Sequence, residues 1–212
     1  MKKLIFFVSE DWYFCSHRLP LAIAAKKAGY NVTVITRVNE CGNIIEQAGL
    51  KLVPLNLKRR STNVFSEMYL LIQLYKIYQN EKPDIVHHIA LKPVLYGSMI
   101  AFLTKVPRVV NALAGLGFLF SSRTYKALLM RPIISILFRL LLNRKNTRVI
   151  LQNPDDVSLM CNKKIIFKSN VSLIRGSGVD TEIYKYHKEK LESPIVLLAS
   201  RLLWDKGIKE FV

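Results

Sequence analysis

Short apolar runs alternate with longer stretches of helical periodicity from the first residues to about residue 174. A run such as Leu4–Val8 is continuously apolar, as expected for a strand that is buried on both faces of a sheet. The pattern predicts seven strands, at Leu4–Val8, Asn31–Thr36, Lys51–Leu55, Asp84–His88, Arg108–Ala112, Arg148–Gln152 and Val171–Ile174. Repeated strand–helix–strand units with short connections imply an α/β fold, a doubly wound, mostly parallel Rossmann-like sheet.

The segments between these strands carry helical periodicity and recognisable helix ends. Arg18–Ala28 is followed by Gly29, and Gly42–Ala48 by Gly49; glycine is favoured just past the C-terminus of a helix. Further helices are predicted at Val64–Asn80, Pro93–Leu103, Tyr125–Leu142 and Asp155–Asn162. We expect Pro132 to interrupt the helix over Tyr125–Leu142, because proline removes a hydrogen bond inside a helix.

The pattern changes near the end of the sequence. Residues 181–193 are polar and without period, and Ile195–Ala199 then reads as a buried strand before a basic loop and one helical turn. About nineteen residues cannot enclose a core of their own. The sequence therefore predicts one domain over residues 1–188 and, over 189–212, a linker with the first strand of a truncated second domain. An apolar strand without a sheet predicts poor solubility or pairing with a partner.

Composition limits the class of protein. Half of the 212 residues are hydrophobic and 22% are charged, which supports a globular core. The formal net charge of +17 fits nucleic acid, an anionic membrane or phosphorylated substrates as partners, and it also fits a merely solvated basic surface. Three widely spaced cysteines without a C-x-x-C pair argue against a disulfide framework or a zinc site, so no metal is expected.

The loop after the first predicted strand holds the richest candidate chemistry. It contains no glycine, which argues against a dinucleotide site, because such a site needs glycines for close approach of the backbone to the pyrophosphate. It does contain Glu10, Asp11, Trp12, His17 and Arg18. Aromatic faces beside carboxylates and donors suit a sugar ring, which has apolar faces and a polar rim. The alternative is that the aromatic residues pack at the edge of a core and that His17 caps the next helix.

Other candidate positions also follow predicted strands. Gly115 and Gly117 would let the backbone approach a ligand, although a simple turn explains them equally well. His87 and His88 are adjacent on one strand, so one should be in the core while the other, His87, reaches the cleft. Arg175–Asp180 is glycine-rich and fits either an anion cradle or a hinge.

The last strand is followed by two cations, Arg201 and Lys206, on a loop that leads into a helix. Cations beside a helix N-terminus suit a diphosphate, and a solvated loop is the alternative. Upstream, the apolar segment Leu128–Leu142 is about 22 Å long if helical, too short for a bilayer core of about 30 Å. Its arginines favour a helix that rests on a membrane surface, the alternative being a sheet-covering helix with a basic outer face.

Taken together, these motifs resemble a family 4 glycosyltransferase of the bacterial capsular and lipopolysaccharide (O-antigen) type. The resemblance lies in residues 9–14 and 16–22, in 59–63, 83–87, 92–97 and 115–117, in 152–156 and 175–180, and in 200–203 with 205–207. It covers essentially the whole chain, with the motifs in the family's order. The residue before Gly115 is Ala114, where many relatives have a histidine, so His17 becomes the candidate catalytic histidine.

The resemblance implies a GT-B architecture in which the first domain binds the acceptor and the second binds a nucleotide-sugar through residues matching Arg201 and Lys206. It implies transfer with retention and no metal or other cofactor. The implied acceptor is a polyprenyl-diphosphate-linked sugar or glycan, handled by a cytoplasmic enzyme peripheral to the inner face of the membrane. We expect the isolated chain to be inactive. The alternatives are a membrane-binding module, or half of a split enzyme completed by a separate chain; no basic–aromatic reader motif supports nucleic acid.

Overall fold

The structure is a computed structural model that describes residues 1–57, 63–113, 125–188, 195–200, 202 and 207–212. It divides into two compact units, Met1–Gly178 and Val179–Val212. The first unit carries the sheet and the candidate site. The predicted domain boundary at residue 188 stays a prediction.

The first unit is built on a parallel sheet, as the sequence predicts. Its strands are β1 (Lys3–Glu10), β2 (Asn31–Arg37), β3 (Lys51–Pro54), β4 (Ile85–Ile89), β5 (Arg108–Leu113), β6 (Thr147–Leu151) and β7 (Val171–Leu173). Their order is β3-β2-β1-β4-β5-β6-β7, and every neighbouring pair is parallel. All carboxyl ends therefore lie at one edge of the sheet, where parallel α/β sheets bind ligands.

The helices of this unit alternate with the strands. They are α1 (Asp11–His17), α2 (Leu19–Lys27), α3 (Gly42–Gln47), α4 (Val64–Glu81), α5 (Leu91–Leu103), α6 (Tyr125–Leu142) and α7 (Pro154–Asn162), with a short 3₁₀ turn at Lys168–Asn170. The Asn63 side chain fixes the start of α4, because its oxygen accepts hydrogen bonds from the backbone N–H groups of Phe65 and Ser66.

The predicted helix Arg18–Ala28 is confirmed as α2, Leu19–Lys27. Two other local predictions were wrong. Residues 9–18 were predicted to form a loop, but β1 continues to Glu10 and α1 spans Asp11–His17. Pro132 does not interrupt α6, which runs unbroken through it. Pro132 lies on the exposed side of α6, where water can satisfy the carbonyl that loses its partner.

Each face of the sheet is buried by its own set of helices. One face packs against α4 and α5 in a core that includes Phe7 and Leu74. The opposite face packs against α1, α2 and α3 in a core that includes Phe6 and Phe14. Phe6 and Phe7 point to opposite faces because successive strand residues alternate, which is why β1 needs an unbroken apolar run.

The second unit contains little regular structure among its described residues. A turn spans residues 181–183, and the backbone N–H of Tyr184 donates to the carbonyl of Asp180 at 2.9 Å. Helix α8 (Ile208–Phe211) is four residues long. The predicted strand at Ile195–Ala199 is not formed: residues 195–200 are irregular, and Ile195, Val196 and Leu197 are exposed. A strand requires a neighbour for its backbone hydrogen bonds, and no described residue pairs with this segment.

Candidate functional site

The corner between β1 and α1 is organised by the Asp11 carboxylate, which is fully buried. Its Oδ2 accepts hydrogen bonds from the backbone N–H groups of Asn39, Glu40 and Cys41 at 2.8 to 2.9 Å, and its Oδ1 accepts from Trp12 at 2.8 Å. Asp11 thus joins the carboxyl end of β1 to the loop after β2. Its carboxylate is occupied by backbone groups, so its predicted contact with an acceptor remains a prediction.

The electrostatics of Asp11 follow from the same contacts. Burial raises its pKa, but hydrogen bonds from four backbone N–H groups outweigh burial, and the pKa lies below its ordinary value of 3.8. Asp11 is therefore a fixed negative charge at neutral pH. This charge does not pair with a cation in the contacts described above, and backbone dipoles alone stabilise it.

Glu10 and Trp12 flank this buried aspartate. Glu10 is 7% exposed, and its Oε2 accepts a hydrogen bond from the Asn39 side chain at 2.9 Å. Trp12 is 45% exposed and lies edge-on to Tyr13, with ring centroids 5.8 Å apart. The carboxyl end of β1 thus presents an exposed indole beside a largely shielded carboxylate, and the role predicted for both residues in a cleft stays a prediction.

The candidate catalytic residue His17 lies on the surface at the last turn of α1. Its ring stacks on Tyr13, with centroids 4.4 Å apart and 10° between the planes, and its Nδ1 is 2.6 Å from the Ser16 hydroxyl. Asp11 and His17 are the first and last residues of α1, about 9 Å apart along the helix axis at 1.5 Å per residue. The structure thus places His17 away from the carboxyl edge, and its catalytic role stays a prediction.

Arg18 and His87 form a pair of buried polar side chains between α1 and the sheet. Arg18 is 8% exposed, and its Nε and Nη2 make no hydrogen bond. His87 is 7% exposed, packs on the Phe6 ring at 5.2 Å and leaves Nε2 without a partner. Burial, together with the charges of Arg18 and His88, lowers the pKa of His87 to about 3, so its ring is neutral at physiological pH.

His88 points to the opposite face, as the sequence predicts for adjacent strand residues, and it is completely buried. Its Nδ1 is 2.7 Å from Asn111 Oδ1, an acceptor, so Nδ1 carries the proton and Nε2 accepts from the Tyr78 hydroxyl at 2.9 Å. Burial lowers the pKa of His88 to about 4, although the bond to Asn111 opposes the shift. The neutral His88 ring therefore joins α4, β4 and β5 inside the core.

This network also requires a glycine on α5. A Cβ placed on Gly97 would lie 2.5 Å from the His88 ring, well inside contact distance. The Ser98 hydroxyl donates to Asn111 Oδ1 at 3.1 Å, which completes a chain of four polar side chains across four elements. The network is a packing device rather than a surface site, since His88 and Asn111 are fully buried.

A cavity opens at the carboxyl ends of β2 and β3, beside the first turns of α4. Its volume is about 720 Å³, within the range of about 300–1,000 Å³ that is typical of ligand sites. It is lined by Arg37, Val38, Asn39, Pro54, Leu55, Asn56, Asn63, Ser66, Glu67, Tyr69, Leu70 and Gln73. Asn39 connects this cavity to the β1–α1 corner through its bond to Glu10.

Four of the predicted site residues fall in segments that the structure does not describe: Gly115, Gly117, Arg201 and Lys206. Their proposed contacts with a ligand remain predictions. Within the described part of the chain, no group of three or more histidine, cysteine or acidic side chains is arranged to hold a metal ion. In the same residues, no helix combines the length and the apolar character needed to cross a bilayer.

The fold and site together define a Rossmann-like α/β unit with polar side chains at the carboxyl edge of a parallel sheet. The model of a known family, described as glycosyl transferase 4-like, matches residues 3–153. The chain belongs to this glycosyl transferase 4-like family.

Two curated relatives agree with this membership. The chain is 28% identical over 207 residues to an N,N'-diacetylbacillosaminyl-diphospho-undecaprenol α-1,3-N-acetylgalactosaminyltransferase of Campylobacter jejuni, covering 92% of this chain and 54% of the relative. It is 28% identical over 123 residues to a UDP-Gal:α-D-GlcNAc-diphosphoundecaprenol α-1,3-galactosyltransferase of Escherichia coli. This match covers 58% of the present chain and 30% of the relative. The sequence thus spans about half or less of these relatives.

Solved structures show the same fold. A glycosyltransferase from Rickettsia africae superposes with a TM-score of 0.60 at 14% identity, covering 87% of this chain and 45% of that one. MnaA of S. aureus, solved with UDP, superposes with a TM-score of 0.61 at 16% identity, covering 90% of this chain and 50% of that one. At this level of identity the likeness establishes the fold alone, and it confirms the GT-B half expected from the sequence.

Two features of the site were not predicted from the sequence. The cavity was missed because its walls come from β2, β3 and α4, which are far apart in the chain. The spacing of Ser66, Tyr69 and Gln73 on one face of α4 was an available signal, but helical spacing alone does not reveal which face meets a cavity. For the His88 network, the available signal was Asn111, a polar residue within the apolar part of β5.

Proposed function

We propose that this chain is the acceptor-binding half of a retaining glycosyltransferase of surface-polysaccharide biosynthesis. The acceptor is a sugar or glycan linked to polyprenyl diphosphate, and the donor is a nucleotide-sugar. The observation that carries the proposal is the family match over residues 3–153 together with a relative that spans 92% of the chain and whose name specifies an undecaprenyl-diphosphate sugar.

The geometry of the carboxyl edge supports an acceptor site. The β1–α1 corner offers the exposed Trp12 ring, and the adjoining cavity is lined by residues with carboxamide, hydroxyl, carboxylate and guanidinium groups. Such groups match the alternating donors and acceptors of sugar hydroxyls. We assign the diphosphate of the donor to Arg201 and Lys206, and the proposal includes no metal ion or other cofactor. A separate chain that supplies donor contacts is part of the proposal.

A fusion protein tests this function. The chain is joined to the portion of the Campylobacter relative that lies beyond the matched region, and transfer from a radiolabelled UDP-sugar to lipid extract is measured. We expect the fusion to transfer sugar and the 212-residue chain alone to show no turnover, because transfer needs the donor and the acceptor held together. Turnover by the chain alone, or an inactive but folded fusion, would contradict the proposal.

We further propose that α6 holds the protein on the cytoplasmic face of an anionic membrane. The inner side of α6 packs in the core through Ile134, Phe138 and Leu142. The outer side was expected to be either basic or membrane-facing, and it carries a row of apolar side chains that are 58–67% exposed, at Leu129, Ile133, Ile136 and Leu140. An exposed apolar stripe flanked by cations is typical of helices that lie in the interface.

The cations that flank this stripe belong to α6 and to the loop after it. Arg139 is in the last turn of α6, and Arg144 follows the helix, where its guanidinium lies 4.3 Å from the centre of the Phe102 ring. Phe102 is itself 49% exposed. The apolar surface thus continues from α6 onto the end of α5, and positive charge beside it favours anionic lipid headgroups.

A further inference from the structure

The cavity at the ends of β2 and β3 contains polar side chains that no protein group satisfies. Among the described residues, Arg37, Asn56, Tyr69 and Gln73 line it, and their side chains make no hydrogen bond or ion pair. Arg37 and Gln73 are half-buried, Asn56 and Tyr69 are exposed, and all four side chains are therefore open to a ligand that enters the cavity. Four such groups around about 720 Å³ indicate a ligand site.

The chemistry of these side chains restricts the ligand. Asn56 and Gln73 each offer two N–H donors and a carbonyl acceptor, which suits hydroxyl groups that donate and accept at once. The Tyr69 ring is 63% exposed and offers an apolar face. These are the requirements of a sugar ring, whose faces are apolar and whose rim is polar.

Arg37 adds a charge requirement. Arg37 is the last residue of β2, it is half-buried and lines the cavity, and its side chain has no carboxylate partner among the described residues. The Glu67 carboxylate in the same wall already accepts a hydrogen bond from Lys92 at 2.7 Å, so its negative charge is compensated there. The guanidinium fork binds planar carboxylates through two parallel hydrogen bonds.

We propose that this cavity binds an acidic sugar, a hexuronic acid unit whose carboxylate is held by Arg37 and whose hydroxyls are held by Asn56 and Gln73. This inference rests on the proposed function, because it treats the acidic sugar as one unit of the acceptor glycan. Asn39 connects the cavity to the neighbouring β1–α1 corner. The uronate is therefore placed beside the acceptor sugar that reacts.

Binding to the chain itself tests the proposal without any transfer reaction. Amide resonances of the ¹⁵N-labelled chain are followed during titration with methyl glucuronide, with methyl glucoside and with inorganic phosphate. We expect shifts at residues around the cavity with methyl glucuronide, binding weaker by about tenfold or more with the neutral glucoside, and no saturable cavity shifts with phosphate. Equal shifts with all three, or none with the glucuronide, overturn the proposal.

Variants separate the contributions of charge and shape. Arg37→Met should remove the preference for the uronate, and Arg37→Lys should retain only part of it, because lysine keeps the charge but lacks the fork. Arg148→Met, which removes one exposed positive charge on β6, is the control for general electrostatic attraction. Loss of the preference in the Arg148→Met variant would contradict a specific site.

A second pair of variants tests the amides. Gln73→Ala should weaken glucuronide binding several-fold, whereas Gln79→Ala, on the same helix but outside the cavity, should leave it unchanged. Thermal melting confirms that each variant is folded. If the fusion protein transfers sugar but the chain shows no preference for the uronate, this inference is refuted and the proposed function stands. If the chain prefers the uronate but the folded fusion protein is inactive, only the proposed function is refuted.

Discussion

At the scale of single residues, the most consequential side chain is Asp11, whose carboxylate accepts hydrogen bonds from four backbone N–H groups, three in the loop after β2 and one in α1. We expect Asp11→Asn to lower the free energy of unfolding by about 3 kcal/mol, because an amide turns an N–H₂ group toward backbone donors. Urea denaturation of both proteins measures this. A loss below about 1 kcal/mol would contradict the assigned role.

The pH dependence of the same variant gives an independent control. The pKa of Asp11 in the folded protein lies below the ordinary value of 3.8, so its stabilisation is complete above pH 3.8. The stabilisation is lost as the pH falls through the folded-state pKa. The difference in stability between the wild-type protein and Asp11→Asn should therefore be constant near neutral pH and shrink only below pH 3.8.

For Arg18 we expect that substitution stabilises the protein, in contrast to Asp11. A buried charge without a partner costs stability, and Met fills a similar volume without charge. Arg18→Met should therefore not destabilise the protein and should raise the free energy of unfolding, on the order of 1 kcal/mol. The exposed Arg148→Met serves as the control and should change stability by less than about 0.5 kcal/mol. Destabilisation by Arg18→Met would show that its guanidinium supports the fold.

At the scale of elements, α4, β4 and β5 are joined by the His88 network. Tyr78→Phe removes the hydroxyl that donates to His88 Nε2 and leaves this nitrogen buried and unpaired. We expect a loss of about 1–3 kcal/mol in the free energy of unfolding, measured by urea denaturation. The exposed Tyr75→Phe on the same helix is the control, and an equal loss in both variants would rule out a special contribution from the network.

The outer stripe of α6 is also an element-scale feature. Ile133→Ser combined with Ile136→Ser should reduce flotation with anionic liposomes severalfold, because two exposed apolar side chains are lost from the interface. Leu21→Ser combined with Ile44→Ser removes two exposed apolar side chains from α2 and α3 and should leave flotation unchanged. Equal flotation of all three proteins, or flotation that does not depend on anionic lipid, would refute membrane binding through α6.

At the scale of the whole molecule, the core belongs to the first unit. Every buried residue among those described lies at or before Asn170. A chain that ends at Gly178 should therefore unfold cooperatively with a midpoint within a few degrees of the longer one, since the same apolar area is removed from water. Calorimetry measures this, and a broad or strongly lowered transition would show that the second unit supports the core.

Much of the fold could be predicted from the sequence. All seven strands of the sheet were predicted within a few residues, because strands buried on both faces must be continuously apolar. The errors fell where local rules depend on surroundings. Pro132 was expected to break α6, but its exposed position lets water replace the lost bond. The segment Ile195–Ala199 has the sequence of a strand, but it finds no pairing strand in the part of the chain that the structure describes.

The sequence by itself determined the alternation of strands and helices, the parallel sheet, and the family whose motifs lie in order along the chain. Each of these depends on local periodicity or on residues close together in sequence. Only the tertiary structure decided which polar residues meet. Asp11 reaches the loop after β2, and Arg37 and Gln73 share one cavity, because strand order and helix packing bring together residues that sequence spacing leaves apart.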